Sequence, residues 1–517
     1  MRILETKLRC HPRPSSAGKA HQNCDDLSDA LRGEGDPGPR RNSAFAGQAR
    51  NRLDDQNRRS ATTWVPFPRR ASRVSPGMTL SLLIGLSLCS TAALAQPQTG
   101  AVARAPGSGP VYGTLIKHGH IYTVGAQGTL ADGDVLIQGG KIAQVGSNLA
   151  VPPETKVIDA HDKPVTPGLM SSWSPLGIVE VDLVAETNDT APNQALDSAA
   201  FDVADAINPN STLIPVARIR GITRSLTTPA ICGDLFCGTS AVIHLGLGPD
   251  LIVRRDAGVV VDLEPAGGQG QKNARPDLWV KLRETLDDAR EYWAQRAGYH
   301  RPGGSRDQRS ARVDLDALGP VIQGREPLLV HVERAATIRQ VLQYAQTNKL
   351  GLVILGGGEA WETASELAAA HVPVVIDAES NLPGSFSDLG ATMKNAARLD
   401  KAGVTVAFQP QSNTAQYART LTQEAGNAVA NGMPWDHALA AITRNAAQIF
   451  GIADSYGTLE PGKDADVVIW DGDPLEVTSA PTAVFIKGEA VPMVSRQTLL
   501  RDRYRNAASE RPSAGYR

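Results

Sequence analysis

Four side chains with acid–base or ligand chemistry follow two apolar runs in the second half of the chain. His331 and Glu333 end the run PLLVHVE, and Asp377 and Glu379 come directly after the run VPVVI. Residues two apart on a strand point to the same side, so each pair shares one face if these runs are strands. An imidazole among carboxylates can orient a ligand or move a proton. We take His331, Glu333 and Asp377 as catalytic candidates; the alternatives are a hydrogen-bonded structural His331 and acids that only solvate a rim.

The segments that must position these residues alternate between strand and helix patterns from residue 212 to 408. The runs PLLVHV, GLVILG, VPVVI and GVTVAF read as strands, and amphipathic helical patterns separate them. A strand–helix repeat of about 20–35 residues is typical of parallel barrels, which keep their chemistry at the carboxyl ends of the strands. We therefore expect the four candidates to meet at one barrel mouth.

Both ends of the chain carry short strands and motifs that point to one family. The motifs near the start are LIKHGHIYTV, VLIQGGKIAQVG and VIDAHDKPVTPGLM, and those near the end are ALAAITRNAAQIFGI and GTLEPGKDADVVIWDGDPL. They resemble the motifs that open and close the amidohydrolase superfamily, in particular its imidazolonepropionase-like exported branch. The resemblance implies an α/β fold: a (β/α)8 TIM-type barrel over 167–455, with a small β-sandwich domain built from both chain ends (96–166 and 456–498) and an Arg-rich tail over 499–517.

The same resemblance implies one or two divalent metals, held by residues at the ends of several barrel strands. The two histidines expected on the first strand align with Trp173 and Pro175, and Ser171 stands where an Asp is usual. The histidine of the sixth strand falls within the glycines 356–358, and Gln411 replaces the Asp of the eighth strand. Only the fifth-strand ligand persists, as His331. Tight zinc sites need three or four protein ligands.

Two functional hypotheses follow from this mixture of family motifs and missing ligands. The first is a protein that has lost the metal site and binds a ligand or acts as a scaffold, with Ser171, Trp173, Glu379 and Gln411 lining its pocket and no cofactor. The second is an active hydrolase of non-peptide C–N bonds, in cyclic amides or imidazolone-like substrates, whose unusual site uses zinc. A small-molecule ligand, a homo-oligomer and a complex with a paralogous amidohydrolase are the partners considered.

Composition narrows the class of protein. The 517 residues are 41% hydrophobic and 21% charged, which is typical of globular proteins. The net charge is −2, and residues 1–95 alone contribute +7 through 13 Arg and 2 Lys against 8 Asp and Glu. The remainder is therefore acidic, and this argues against nucleic acid as a partner.

The first 95 residues read as a leader that is removed. Residues 1–77 are rich in Arg, Pro and Ser, which predicts a disordered segment, and our hypothesis is that they are over-translated sequence upstream of a true start near Met78. Residues 78–95 contain a short apolar run that ends in Ala93-Leu94-Ala95, as in a secretory signal. We expect a periplasmic or secreted protein, not an integral membrane protein, with cleavage after Ala95.

Export would leave two cysteines in the mature chain. Cys232 and Cys237 are separated by four residues in CGDLFC. In an oxidising compartment this spacing favours a local disulfide, and two buried thiols are the alternative.

Cleavage after Ala95 predicts the first residue of the mature protein. Edman sequencing or intact mass of the protein secreted from its natural host should give Gln96 or an immediate neighbour as the N-terminus. A mature chain that begins upstream of Met78 would contradict both the signal and the over-translated leader.

Overall fold

The computed structural model describes residues 113–192, 198–265, 274–296, 310–410 and 414–505. Contacts divide the chain into two units at Gly100, and every described residue belongs to the second, Ala101–Arg517. The leader, the signal peptide and the cleavage site after Ala95 lie outside the described residues. No helix in the described ranges is both long and apolar enough to cross a membrane.

The described strands are numbered in chain order. They are β1 (Gly113–Tyr122), β2 (Thr129–Gln138), β3 (Lys141–Gly146), β4 (Thr155–Asp159), β5 (Pro164–Pro167), β6 (Leu169–Ser174), β7 (Ile222–Thr227), β8 (Phe236–His244), β9 (Ile252–Asp262), β10 (Pro327–Val332), β11 (Gly351–Gly356), β12 (Val374–Ile376), β13 (Val406–Phe408), β14 (Val467–Trp470), β15 (Pro481–Ile486) and β16 (Glu489–Ala490).

The described α-helices are numbered in the same way. They are α1 (Leu213–Arg218), α2 (Arg275–Gln295), α3 (Arg312–Ala317), α4 (Gly319–Ile322), α5 (Ala335–Asn348), α6 (Ala364–Ala369), α7 (Asn395–Lys401), α8 (Leu421–Ala430), α9 (Trp435–Ala441), α10 (Arg444–Ile449) and α11 (Arg496–Arg505). The last helix begins three residues before the predicted Arg-rich tail, because the Arg and Leu residues of RQTLLRDRYR are good helix formers.

Eight strands from the two ends of the chain form one sheet, as the terminal motifs predicted. Its order is β16-β15-β14-β5-β1-β2-β3, with β4 paired to β1. The two chain ends meet where β5 pairs with β14 in antiparallel fashion. Ile116, Ile137, Val165, Val467 and Phe485 are all buried in the core of this sheet.

The remaining eight strands form the barrel sheet, in the order β6 to β13 along the chain. The sheet curls until β13 lies beside β6. Alternate residues divide the core: Leu329, Val375 and Ala407 pack inside the barrel, whereas Leu328 and Val374 pack against the outer helices. The predicted barrel with a sheet domain built from both chain ends is thus confirmed.

One strand departs from the expected parallel arrangement. β8 is antiparallel to both β7 and β9, and no helix intervenes between these three strands. The connections 228–235 and 245–251 are too short for the crossover that a parallel neighbour needs. The predicted disulfide is present between Cys232 and Cys237, with Cα atoms 5.4 Å apart, and it closes the first of these connections.

A buried ion pair fastens the sandwich sheet to the bottom of the barrel. Arg224 of β7 is completely buried, and its Nε lies 2.8 Å from Asp466 Oδ2. Its second amino group lies 2.8 Å from Asp464 Oδ2. Asp466, which directly precedes β14, also accepts a hydrogen bond from the backbone N–H of Lys487. Its carboxylate therefore links β7 to the turn between β15 and β16. The family motif GKDAD, which supplies both aspartates, is thus explained as a structural joint.

Removal of one partner would leave the other charge buried without compensation. We expect Asp466→Ala to lower the free energy of unfolding by about 3–5 kcal/mol. Glu489→Ala, at an exposed position of β16, should change it by less than about 0.5 kcal/mol. Urea denaturation measures both values, and equal stability of the two variants would contradict this role of Arg224.

Candidate functional site

The carboxyl ends of β9, β10 and β12 bring a group of acidic side chains around one histidine. The predicted residues His331 and Glu333 follow β10, and Asp377 and Glu379 follow β12. β10 and β12 both pair in parallel with β11, so the two pairs of residues lie at the same edge of the sheet, as their strand positions predicted. Asp262 and Glu264, at the end of β9, belong to the same mouth and were not predicted.

His331 is held between two carboxylates. Its Nδ1 lies 2.9 Å from Asp262 Oδ1, and its Nε2 lies 3.3 Å from Glu333 Oε1. The side chain is 17% exposed. Both ring nitrogens donate to carboxylates only in the imidazolium form, so the geometry favours a positively charged ring.

The charge state of His331 follows from a balance of two effects. Burial by itself would lower the pKa, but hydrogen bonds and charges from Asp262 and Glu333 outweigh it and raise the pKa to about 10. The imidazolium is therefore the dominant form at neutral pH. A pKa above the ordinary 6.5 means that this cluster stabilises the fold fully below pH 6.5 and loses that contribution as the pH rises to about 10.

The three glycines after β11 make room for Glu333. The backbone N–H of Gly358 donates to Glu333 Oε2 over 2.6 Å. A Cβ atom on Gly356 would lie 2.3 Å from Glu333 Oε1, and Gly356 has a φ of +85°, which a side chain rarely adopts. The absence of side chains in this triplet therefore allows the Glu333 carboxylate to pack closely against the backbone.

A second link joins β9, β10 and the N-terminus of α2. Glu264 Oε1 accepts a hydrogen bond from the backbone N–H of Glu333 over 3.0 Å, and Glu264 Oε2 lies 2.9 Å from a guanidinium nitrogen of Arg275. Arg275 also donates to Ser387 Oγ, in the loop after β12. Three of the mouth carboxylates, Asp262, Glu264 and Glu333, are therefore each paired with a cation.

Glu424 of α8 is completely buried beneath the loop that follows β12. Its Oε2 accepts a hydrogen bond from the backbone N–H of Ala378 over 3.0 Å. Burial, together with the negative charges of Asp377 and Glu379, raises the pKa of Glu424 to about 9. The carboxyl is therefore protonated at neutral pH, and burial also raises the pKa of the neighbouring Asp377.

The first barrel strand carries no histidine at the mouth. Trp173 is 3% exposed and packs within the inner barrel core, with its ring centroid 5.6 Å from that of His331. Ser171 is completely buried and pairs with Ser225 of β7. No hydrogen bond or ion pair joins Ser171 to the His331 group in the described ranges. Trp173 thus contacts the group, and Gln411 lies outside the described residues.

The donors at the mouth do not fit the metal arrangement that the resemblance implies. Trp173 and Pro175 offer no electron pair suited to zinc, and glycines 356–358 have no side chains. Both nitrogens of His331 face carboxylates. Across the ranges that the structure describes, no three His, Cys, Asp or Glu side chains are placed to hold a metal ion.

Sequence reasoning missed three residues of the site. Asp262 and Glu264 follow the apolar run AGVVVDLE, the same strand-end signal that identified Asp377 and Glu379, so the pattern could have revealed them. Glu424 lies on a helix with no sequence signal of this kind, because its environment comes from the loop after β12.

The proton on Glu424 predicts a pH-dependent stability. Between the ordinary pKa of 4.5 and about 9, the folded chain keeps a proton that the unfolded chain has lost, so stability falls as the pH rises through this window. Glu424→Gln has no proton to lose and should be more stable than the wild type at pH 8, by roughly 1–3 kcal/mol.

Urea denaturation at pH 5, 7 and 8 measures this effect. His331 adds its own decline above pH 6.5 in both proteins, so the difference between them isolates Glu424. Glu489→Gln, at an exposed site, serves as the control. Parallel stability profiles for Glu424→Gln and the wild type would show that Glu424 is ionised in the folded protein.

Comparison with known proteins supports the family that the motifs indicated. The model of the amidohydrolase family matches residues 336–492. "Amidohydrolase tasK" of Hapsidospora irregularis is 24% identical over 396 residues, which cover 69% of this chain and 40% of that protein. An imidazolonepropionase of Brucella anthropi is 31% identical over 149 residues, 28% of this chain and 35% of the enzyme. The chain thus spans well under half the length of both relatives.

A solved structure reproduces the fold over most of its length. The amidohydrolase from Thermotoga maritima MSB8 superposes with a TM-score of 0.66 at 24% sequence identity, covering 73% of this chain and 99% of its own. The family model, the sequence relatives and the shared barrel agree with the terminal motifs. The chain is thus similar to the amidohydrolase family over residues 336–492 and shares the fold of a solved amidohydrolase.

Proposed function

We propose that the barrel mouth binds a small ligand and does not activate water on a metal, so that the protein acts as a ligand-binding or scaffold member of its superfamily in the cell envelope. The observation that carries this proposal is the position of His331 between Asp262 and Glu333, with a carboxylate at each ring nitrogen. A metal ligand must present a neutral ring nitrogen with its electron pair available.

Two further observations support the proposal. Trp173 occupies the end of the first strand and packs in the barrel core beside His331, where it fills space that a metal and its ligands would need. The acidic side chains of the mouth are tied to backbone N–H groups or to His331 and Arg275, as in a preorganised polar pocket.

The second candidate function is hydrolysis of a non-peptide C–N bond. The observation that favours it is the pair of neighbouring carboxyl groups of Asp377 and Glu424, whose pKa values are both raised mainly by burial, as is typical of general acids. The names of the sequence relatives suggest cyclic amide or imidazolone-like substrates. Under this candidate, His331 and mouth carboxylates would hold zinc in an arrangement that the described residues do not have.

Export and assembly form part of the same proposal. A periplasmic or secreted location follows from the signal at 78–95, and the disulfide between Cys232 and Cys237 is compatible with an oxidising compartment. A scaffold role would require a homo-oligomer or a complex with a metal-containing paralogue, which co-purification from the natural host would detect.

Metal content tests the proposal directly. Protein purified without a polyhistidine tag, incubated with zinc and desalted should contain well below one zinc per chain by mass spectrometry of the metal. Its melting temperature should not respond to EDTA. His331→Gln should give the same metal content, as should His161→Gln, which alters a histidine whose side chain is 77% exposed.

One or more zinc ions per wild-type chain, with loss of zinc in His331→Gln but not in His161→Gln, would overturn the proposal in favour of the hydrolase. The wild-type measurement alone decides the matter if His331→Gln does not fold.

A further inference from the structure

The carboxylates of the mouth fall into two sets with different charge balance. Asp262 and Glu333 pair with His331, and Glu264 pairs with Arg275. Asp377 and Glu379 have no ion pair with a Lys, Arg or His in the described part of the chain. Burial raises the pKa of Glu424, and the negative charges of Asp377 and Glu379 raise it further. The set beside β12 therefore lacks a cation.

A buried amide points to the same place. Gln409 is 8% exposed, and its Oε1 accepts no hydrogen bond from any described residue. Its backbone N–H donates to the carbonyl of Ile376, so Gln409 lies beside Asp377 where β12 and β13 end. Ala407, two residues earlier, packs inside the barrel, and strand alternation places Gln409 on that same inner face. A buried amide oxygen without a donor is costly unless a bound group supplies one.

In both Asp377 and Glu379, one carboxylate oxygen accepts a hydrogen bond from the protein, which orients the side chain. Asp377 Oδ1 accepts from the backbone N–H of Glu379 over 2.8 Å, and Glu379 Oε1 accepts from Asn427 Nδ2 over 2.8 Å. Because these acids do not converge with a third ligand in the described residues, they do not form a metal-ion site. Several acceptors around an excess negative charge suit an ammonium group, which has three donors and one positive charge.

We infer that Asp377, Glu379, Glu424 and Gln409, here called the β12–β13 sector, bind the ammonium group of a small organic amine. This inference rests on the proposed ligand-binding function and names the chemical class of the ligand. The amine donates to the carboxylates of Asp377 and Glu379 and to Gln409 Oε1, and it supplies the positive charge that the sector lacks.

Glu424 gives this binding a measurable signature. The charges that face it are those of Asp377 and Glu379, from the loop packed on α8, and Glu333 faces Asp377 from β10. A bound cation would offset these negative charges and make ionisation of Glu424 easier. Binding of the amine at pH 8 should therefore release protons, as linkage requires.

Isothermal titration calorimetry of the full chain with putrescine and agmatine tests the inference, with 1,4-butanediol as the neutral probe of matched length. We expect both amines to bind and to raise the melting temperature, and 1,4-butanediol to do neither at equal ionic strength. Heats measured in two buffers of different ionisation enthalpy should reveal proton release with the wild type.

Variants locate the site and separate it from general electrostatic attraction. Glu379→Gln keeps the oxygen that accepts from Asn427 but removes the charge, and should weaken the binding of putrescine about tenfold. Glu424→Gln should bind putrescine without proton release. Glu489→Gln, an equal change of net charge at an exposed site, should bind like the wild type.

The outcomes distinguish this inference from the proposed function. No binding of either amine, equal binding of 1,4-butanediol, or equal weakening by Glu379→Gln and Glu489→Gln would each overturn the inference. Those results would leave the metal content low and the proposed function intact. Zinc bound through His331 would overturn the proposed function whether or not the amines bind.

Discussion

The contact on which the mouth depends is the charged imidazole of His331 between Asp262 and Glu333. It joins the ends of β9 and β10, and through Glu333 it reaches the glycines after β11. A buried carboxylate is costly unless it is paired and hydrogen-bonded. Here each carboxylate satisfies part of that requirement by holding the same ring, so neither the ring nor the acids can be altered independently.

This arrangement explains why the remaining negative charge collects on the other side of the mouth. His331 and Arg275 balance the carboxylates of β9 and β10, whereas Asp377 and Glu379 act on Glu424. Burial and this excess charge together keep a proton on the completely buried carboxyl group of Glu424. The electrostatic potential of the mouth is therefore more negative beside β12 than beside β9 and β10, and such a difference attracts positively charged groups to the β12 side.

At the opposite end of the barrel, buried charge has a different purpose. Arg224 binds Asp464 and Asp466, which come from the far end of the chain, and locks the sandwich sheet to the barrel. Tyr456 adds a hydrogen bond to the carbonyl of Gly168 at the entrance to β6. These contacts hold the first strand, which carries Trp173, against the sandwich sheet.

The sequence by itself determined the architecture. Apolar alternation and helical periodicity are local properties, so the strand PLLVHV and an amphipathic helix after it were predicted and are confirmed as β10 and α5. The terminal motifs placed the sandwich, and the spacing of Cys232 and Cys237 indicated the disulfide. The antiparallel β8 was not predicted, because the direction of a strand depends on its connections and partners as well as on its own residues.

Only the tertiary structure decided the chemistry of the mouth. Sequence could list His331, Glu333, Asp377 and Glu379, but charge and proton position depend on distances between side chains that are far apart along the chain. Asp262 lies 69 residues from His331, and Glu424 lies 46 residues from Ala378, whose N–H it binds. A carboxylate is paired, protonated or uncompensated according to neighbours within a few ångströms, and those neighbours are brought together by folding.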